Sequence, residues 1–338
     1  MENLDIKKLS LEEFGLKYTI LDTIGEGAFS TVYLCKDNSD NKKYVMKCTD
    51  LISSADNIVT IINEITVYKI LKCECPNIIC VNDMFINQNK VYIIFDYIEE
   101  STEFTTYYIL AGRLIENKEV IPPIYYSNCF KIFKGVALAL KYMHEKNILH
   151  LDIKMDNILI KRFPDGVRKG YLFDFGLSCL SDPPSDSKNI EITKCKNTYR
   201  GSYSYNAPEM IFKKTSPSDI REFNSYAPNL YKKIKDVPID TYTDIFTFGL
   251  TIFLSIYIDL NLLELYFVSA ELLKLHEFGM DKYMQFRAYN NHPMNGQFKA
   301  NMLFKDLVCG MLKQNPTERI KIDQVITLID EISVELDK

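Results

Sequence analysis

A chain of 338 residues with 47% apolar and 25% charged side chains can bury a substantial core, and its length suits two modest lobes around a shared cleft. A net charge of −5 without a dense Lys/Arg stripe argues against a polyanion-binding surface, so nucleic acid is not an expected partner. Nine cysteines, an odd count scattered from Cys35 to Cys309 behind the charged start MENLDIKKLSLEEF, predict reduced thiols in the cytoplasm. Cys73 and Cys75 form a lone C-x-C without the second ligand pair that a zinc site needs. The longest apolar run, Leu250 to Leu263, is broken by Asp259 and too short to span a bilayer, which predicts a buried helix and no membrane partner.

Residues 1–17 read as an extension. From residue 18 to 98 come short β-type runs, KYTILDTI, TVYLCKD, KKYVMKC and KVYIIFDYI, around one helical stretch between Asn57 and Lys72. This predicts a mostly antiparallel sheet with a single helix. Gly25-Glu26-Gly27-Ala28-Phe29-Ser30-Thr31-Val32 falls between two of the runs, so its glycines would form a strand-turn-strand flap rather than the strand-to-helix turn of a dinucleotide fold. Such a flap lets the backbone approach phosphate oxygens without an intervening Cβ; an ordinary glycine-rich hairpin fits the same residues. Lys47 ends the apolar run Tyr44-Val45-Met46-Lys47 and needs a partner if buried. Glu64, one helical turn ahead of Tyr68, is positioned to supply it, although an exposed lysine and an unrelated glutamate would look the same.

After Tyr126 the pattern lengthens to helices, SNCFKIFKGVALALKYMHEK, TDIFTFGLTIFLSIYIDL, FKDLVCGMLKQ and IDQVITLIDEISVELDK, which predicts a second, mainly helical lobe. Two polar stretches, Ser181 to Arg200 and Phe212 to Pro238, predict surface insertions. Between the helix ending near Lys146 and the strand Ile158-Leu159-Ile160, the loop His150-Leu151-Asp152-Ile153-Lys154-Met155-Asp156-Asn157 gathers several polar candidates in one place.

With Asp174-Phe175-Gly176 and Ala207-Pro208-Glu209 following in order, that loop resembles the H-R-D-L-x-x-x-N catalytic loop of eukaryotic-type protein kinases, and the resemblance covers roughly residues 18 to 325. It implies an α+β, bilobal fold: a small antiparallel N-lobe with one main helix and a hinge ending at residue 98, then a larger, mainly helical C-lobe over 99–338. The latter would hold an activation segment at 174–209 and a probable insertion at 212–238. The implied activity is transfer of the ATP γ-phosphate, with Mg2+, to a serine or threonine hydroxyl of a protein substrate. By the same resemblance Gly25, Gly27 and the backbone through Ser30 would cover the phosphates, and Lys47, held by Glu64, would contact the α- and β-phosphates. Asn157 and Asp174 would hold magnesium, and Asp152 would accept or steer the substrate hydroxyl proton. Lys154 and Ser202 resemble the serine/threonine branch, in which this lysine and a loop hydroxyl meet near the transferred phosphate. Ile24, Val32, Val45 and Leu159 would enclose the adenine, Phe95 would back the pocket, and the Asp96 carbonyl and Ile98 amide would be its hinge contacts. Tyr68, Val81, His150 and Phe175 align with the apolar column that joins the lobes, Asp244 with its anchor, and Arg319 with the partner of Glu209.

Leu151 departs from that pattern, standing where many kinases carry the arginine that reads a phosphate on the activation segment. Activity is therefore expected not to require that phosphate, although Ser178, Ser181, Ser185, Ser187, Thr193 and Thr198 offer sites for one. Ser30 replaces the third flap glycine, Val45 the usual alanine, and Phe246 the usual tryptophan. A pseudokinase-type nucleotide-binding scaffold is the alternative, against which Lys47, Glu64, Asp152, Asn157 and Asp174 are all retained. A regulatory partner is compatible with either.

Overall fold

The computed structural model describes residues 6–27, 30–51, 55–117, 121–181, 194–195, 200–202, 205–211, 213, 234, 236–256, 294 and 297–338. Its N-terminal part is a six-stranded sheet of β1 (Lys7–Lys8), β2 (Tyr18–Glu26), β3 (Ser30–Asp37), β4 (Lys43–Asp50), β5 (Val81–Asn87) and β6 (Lys90–Asp96), ordered β1-β5-β6-β4-β3-β2. Helix α1 (Leu11–Lys17) follows the first strand, and α2 (Ala55–Leu71) follows β4.

The expected antiparallel sheet with one helix is thus enlarged by the extension. Strand β1 pairs parallel to β5, with Lys7 opposite Phe85 and Lys8 opposite Ile86, and so covers a sheet edge that would otherwise present unpaired backbone groups. Helix α1 starts at a capping box: the Glu13 amide donates to Ser10 Oγ (3.2 Å) and the Ser10 amide to Glu13 Oε2 (2.8 Å). It delivers Phe14 onto Phe85 and Tyr92, with centroids 5.7 and 5.3 Å apart.

The second lobe is built on α4 (Pro123–Glu145) and α6 (Thr241–Ile256), the latter buried at every residue from Thr243 on, as an all-round apolar helix must be. Helix α3 (Phe104–Glu116) precedes α4 and the short α5 (Pro208–Ile211) precedes α6; α7 (Phe298–Met311) and α8 (Ile322–Leu336) follow. Strand β7 (Ser101–Glu103) joins β9 (Ile158–Arg162) and β10 (Arg168–Leu172) in a small sheet ordered β10-β9-β7, and β8 (Ile148–Leu149) pairs with β11 (Cys179–Leu180). Helix α4 meets β10 backbone to backbone. A Cβ on Gly135 would sit 2.5 Å from the Gly170 carbonyl, and one on Gly170 would sit 2.5 Å from that of Ile132. This contact fixes the sheet that leads into Asp174.

Two cysteine pairs correct the expectation of reduced thiols: Cys73 is disulfide-bonded to Cys80 and Cys179 to Cys195, with Cα atoms 4.8 and 4.9 Å apart. An odd count and wide scatter hide what the fold brings together. Lys72 and Cys73, both left-handed (φ 51° and 56°), turn the chain back after α2 toward Cys80. The Cys195 amide donates to the Leu180 carbonyl (2.8 Å), which sets Cys195 beside Cys179. Cys35, Cys48, Cys75 and Cys129 are buried thiols.

No described helix is long and apolar enough to cross a membrane. The run beginning at Leu250 is helical through Ile256, and its remainder lies outside the described residues, as do most of the stretches 181–200 and 212–238.

Candidate active site

A cavity of about 530 Å³ opens between the six-stranded sheet and the helical lobe. Ile24, Gly25, Gly27, Val32, Val45, Lys47, Phe95, Asp96, Ile98, Leu159 and Asp174 all line it, with Ser30, Glu64 and Tyr68 beside them. The flap closes where the Gly27 amide donates to the Ser30 carbonyl (2.8 Å), and Gly25 lies opposite Val32. Its tip, Ala28 and Phe29, lies outside the described residues. Ile79, Tyr97, Ser101, Thr102, Glu103 and Phe173 also line the cavity and were not anticipated. Ser101–Glu103 has no strand-like sequence; only its pairing with β9, Thr102 opposite Ile160, makes it one.

Lys47 sits between Val32 and Ile93 in the sheet register, and its Nζ lies 2.8 Å from both Glu64 oxygens and 3.6 Å from Asp174 Oδ1. Burial disfavours the ammonium, but Glu64 and then Asp174 outweigh it, so the Lys47 pKa is raised and the charge is held. Burial also raises Glu64, against the pull of Lys47. For Asp174 the desolvation is overcome chiefly by Lys47 and the Gly176 amide, with Lys154 adding to them, and its carboxyl stays below the usual range. The backbone of Asp174 is left-handed (φ 64°). Phe175 behind it is fully buried, 4.8 Å from the Tyr68 ring and 5.4 Å from that of His150, which locks the turn carrying Asp174. Val81 lies opposite Phe95, whose ring meets Tyr68 at 5.3 Å.

The loop from His150 to Asn157 hangs on α6. Asp244, fully buried, accepts the amides of His150 and Leu151 (both 2.8 Å) and faces His144 Nε2 at 2.9 Å, while Thr251 Oγ1 donates to the Ile153 carbonyl (3.0 Å). These bonds hold Leu151 in the left-handed region (φ 63°), where a non-glycine residue needs such support. The Asp152 amide donates to His150 Nδ1 (3.2 Å), so that imidazole accepts and is neutral, in keeping with a pKa lowered by burial.

Around Asp152 the polar groups converge. Its Oδ1 accepts the Ser202 amide (2.8 Å), and its Oδ2 lies 3.1 Å from Asn157 Nδ2 and 2.9 Å from Lys154 Nζ. Lys154 Nζ also donates to Ser202 Oγ (2.8 Å). Asn157 Nδ2 further donates to the Asp152 carbonyl (2.8 Å), so the amide oxygen is the atom suited to face a cation. Gly201 delivers Ser202 with φ 86°; a Cβ there would strike the Leu151 carbonyl and sit 2.5 Å from Asn206 Oδ1.

Leu151 is buried with Leu149, Cys179, Met210 and Ile239. Below it, Arg319 grips Glu209 with Nη1 and Nη2 at 2.7 and 2.8 Å, both side chains fully buried, and its guanidinium lies 4.8 Å from the Phe246 ring centre. The cavity walls are apolar where Val32, Val45 and Leu159 line it, and Asp174 offers carboxylate oxygens beside the Lys47 ammonium, a combination that fits a purine nucleotide with a magnesium ion at its phosphates.

Comparison with known proteins gives the same direction. The model of the protein kinase domain matches residues 18–328. The chain is 27% identical over 218 residues to serine/threonine-protein kinase dst3 of Dictyostelium discoideum, covering 62% of this chain and 35% of that protein. It is 26% identical over 316 residues to the meiosis-specific serine/threonine-protein kinase mek1 of Schizosaccharomyces pombe, covering 94% and 59%. To the CTD kinase subunit alpha of Saccharomyces cerevisiae it is 32% identical over 179 residues, covering 52% and 30%. In each case the chain spans less than two thirds of the relative's length.

Proposed function

The chain belongs to the protein kinase family, and on that premise we propose that it transfers the γ-phosphate of ATP, with Mg2+, to serine or threonine hydroxyls of a protein substrate. The supporting observation is the convergence of Lys47, Glu64 and Asp174 at one end of the cavity with Asp152, Lys154 and Ser202 in hydrogen-bonding reach of one another. Phosphoryl transfer requires alignment and charge neutralisation more than covalent help from the protein. Lys47, kept charged by Glu64, holds the phosphates at the Asp174 end of the cavity. Asp174 and Asn157 are the residues that would hold magnesium, which when bound offsets charge on the phosphate oxygens. Asp152 orients the substrate hydroxyl and accepts its proton. Lys154, bridging Asp152 and Ser202, places a positive charge where negative charge develops.

Leu151 supports the further reading that activation-segment phosphorylation is not needed, since a buried leucine offers a phosphate nothing to bind. One relative is named as a kinase subunit, and a regulatory protein partner belongs to the same proposal. The test is transfer from labelled ATP and Mg2+ to a protein and peptide panel, comparing the parent with Asp152→Asn and Asp174→Ala. Phosphoserine or phosphothreonine from the parent, reduced by about 10²-fold or more in Asp152→Asn, is the expected result. A folded, ATP-binding parent that transfers nothing would instead leave a nucleotide-binding scaffold.

A further inference from the structure

The place of the missing arginine is filled by an apolar cluster with a covalent bond through it. Leu151 (1% exposed) packs with Leu149, Cys179, Met210 and Ile239, and Cys195 closes on the same cluster. Cys179 lies opposite Leu149, immediately ahead of the catalytic loop, and Lys194 bridges to Leu180 as a further parallel pair. A short way downstream, Arg200 Nη1 donates to the Ser178 carbonyl (3.2 Å), and Ser178 Oγ donates to the His150 carbonyl (3.3 Å). Next along the chain, the Ser202 amide reaches Asp152. Cys195, Arg200 and Ser202 are therefore tied beside the catalytic loop, and among the described ties the disulfide is the one that chemistry outside the protein can open.

We propose that Cys179–Cys195 is a redox-controlled clamp: oxidised, it holds Cys195 on Leu180 beside the catalytic loop; reduced, it releases Cys195 from that place and phosphate transfer falls. The inference rests on the kinase reading above. Cys195 is half-buried whereas Cys179 is 1% exposed, so a thiolate reductant attacks Cys195 Sγ. A bond forms between the reductant and Cys195, the Cys179–Cys195 bond breaks, and the Cys179 sulfur leaves with the electron pair and takes up a proton. A second thiolate then displaces Cys195 from the mixed disulfide, giving the reductant's own disulfide and two cysteine thiols, with two electrons and two protons delivered in all. Reoxidation reverses these steps with a low-molecular-weight disulfide such as glutathione disulfide. Because Cys179 must leave into an apolar cluster that solvates a thiolate poorly, exchange is slow and the clamp answers sustained rather than brief changes in redox poise.

To test this, the full chain is equilibrated in glutathione buffers of graded ratio, and differential alkylation with mass spectrometry reports each disulfide. Peptide phosphorylation, ATP affinity and hydrogen exchange of peptides carrying Leu180 and Cys195 are measured on the same samples. Transfer should fall roughly fivefold or more as the Cys179–Cys195 link disappears, with ATP affinity unchanged and exchange at the Cys195 amide rising in step. Cys195→Ala should sit at the low rate in every buffer, and Cys73→Ala with Cys80→Ala should keep the response. Transfer that stays constant while the link is lost, or a link that forms in no buffer, overturns the proposal. If no form transfers phosphate although ATP binds, the kinase reading falls separately. In that case exchange that follows the link still supports a conformational clamp, and exchange indifferent to it overturns the clamp as well.

Discussion

Replacing Arg319 by methionine removes the cation from a fully buried pair while keeping most of the side-chain volume over Phe246. Arg319 donates to both Glu209 oxygens, to the Tyr242 carbonyl (2.8 Å) and, through Nε, to the Lys313 carbonyl (2.8 Å). After the change, Glu209 keeps only the Thr243 hydroxyl (3.0 Å) among its described side-chain partners, inside a lobe where its carboxylate has no access to water. Breaking a buried pair from one side costs about 3–5 kcal/mol. With a urea dependence of about 3 kcal/mol per molar, the unfolding midpoint should drop by roughly 1–1.7 M at unchanged slope. Glu209→Gln should cost a similar amount, because it strands the guanidinium. The double variant should be less destabilised than the sum of the two, since neither charge is then left alone. Single-variant losses under about 1 kcal/mol, or strict additivity, would refute the argument that the pair acts as a mutual charge compensation.

Lys47→Met leaves the Glu64 carboxyl buried without its cation, and its pKa, already raised by burial, should rise further. The folded state then holds that proton more tightly than the unfolded chain, so the stability it confers is present at low pH and lost as pH rises through the folded pKa. Relative to the parent, the variant should gain stability from pH 8 to pH 5 in thermal melts, and a parallel pH profile would count against it. Gly201→Ala should lower kcat with ATP affinity kept, because its Cβ collides with the Leu151 carbonyl and displaces Ser202; an unchanged kcat would show that the Ser202–Asp152 contact is dispensable. Complete dephosphorylation of the protein should leave its transfer rate within about twofold, and a larger loss would mean that a phosphate is read elsewhere. Leu151→Arg should destabilise by several kcal/mol, on the order of 3 or more, by forcing a charge into the cluster with Met210 and Ile239, measured by urea titration.

The residues that were legible in sequence are those whose chemistry demands a fixed type at a fixed local spacing. Lys47 and Glu64, Asp152 with Lys154 and Asn157, and Asp174 ahead of Phe175 each announce themselves within a strand, a helix turn or a loop, and the fold brings Lys47, Glu64 and Asp174 to one cavity and Lys154 and Asn157 within reach of Asp152. What stayed hidden depends on partners far along the chain. Lys7 and Lys8 carry no strand signal of their own, and only the open edge of β5 makes a strand of them. Ser101–Glu103 is likewise a strand by courtesy of β9. The disulfides follow the same rule: Cys179 pairs with Cys195 because the segment returns along Leu180, a fact of topology that no count of cysteines encodes. Phe246 shows the converse, since its departure from tryptophan was visible but its consequence was not. The ring lies against the Arg319 guanidinium, so it keeps an aromatic face for the cation while giving up indole volume, and the buried pair with Glu209 survives the exchange. Leu151 unites the two cases. The sequence shows that a phosphate-reading arginine is gone, whereas only the packed cluster of Leu149, Cys179, Met210 and Ile239 shows that the space is occupied, and that a disulfide stands at its edge.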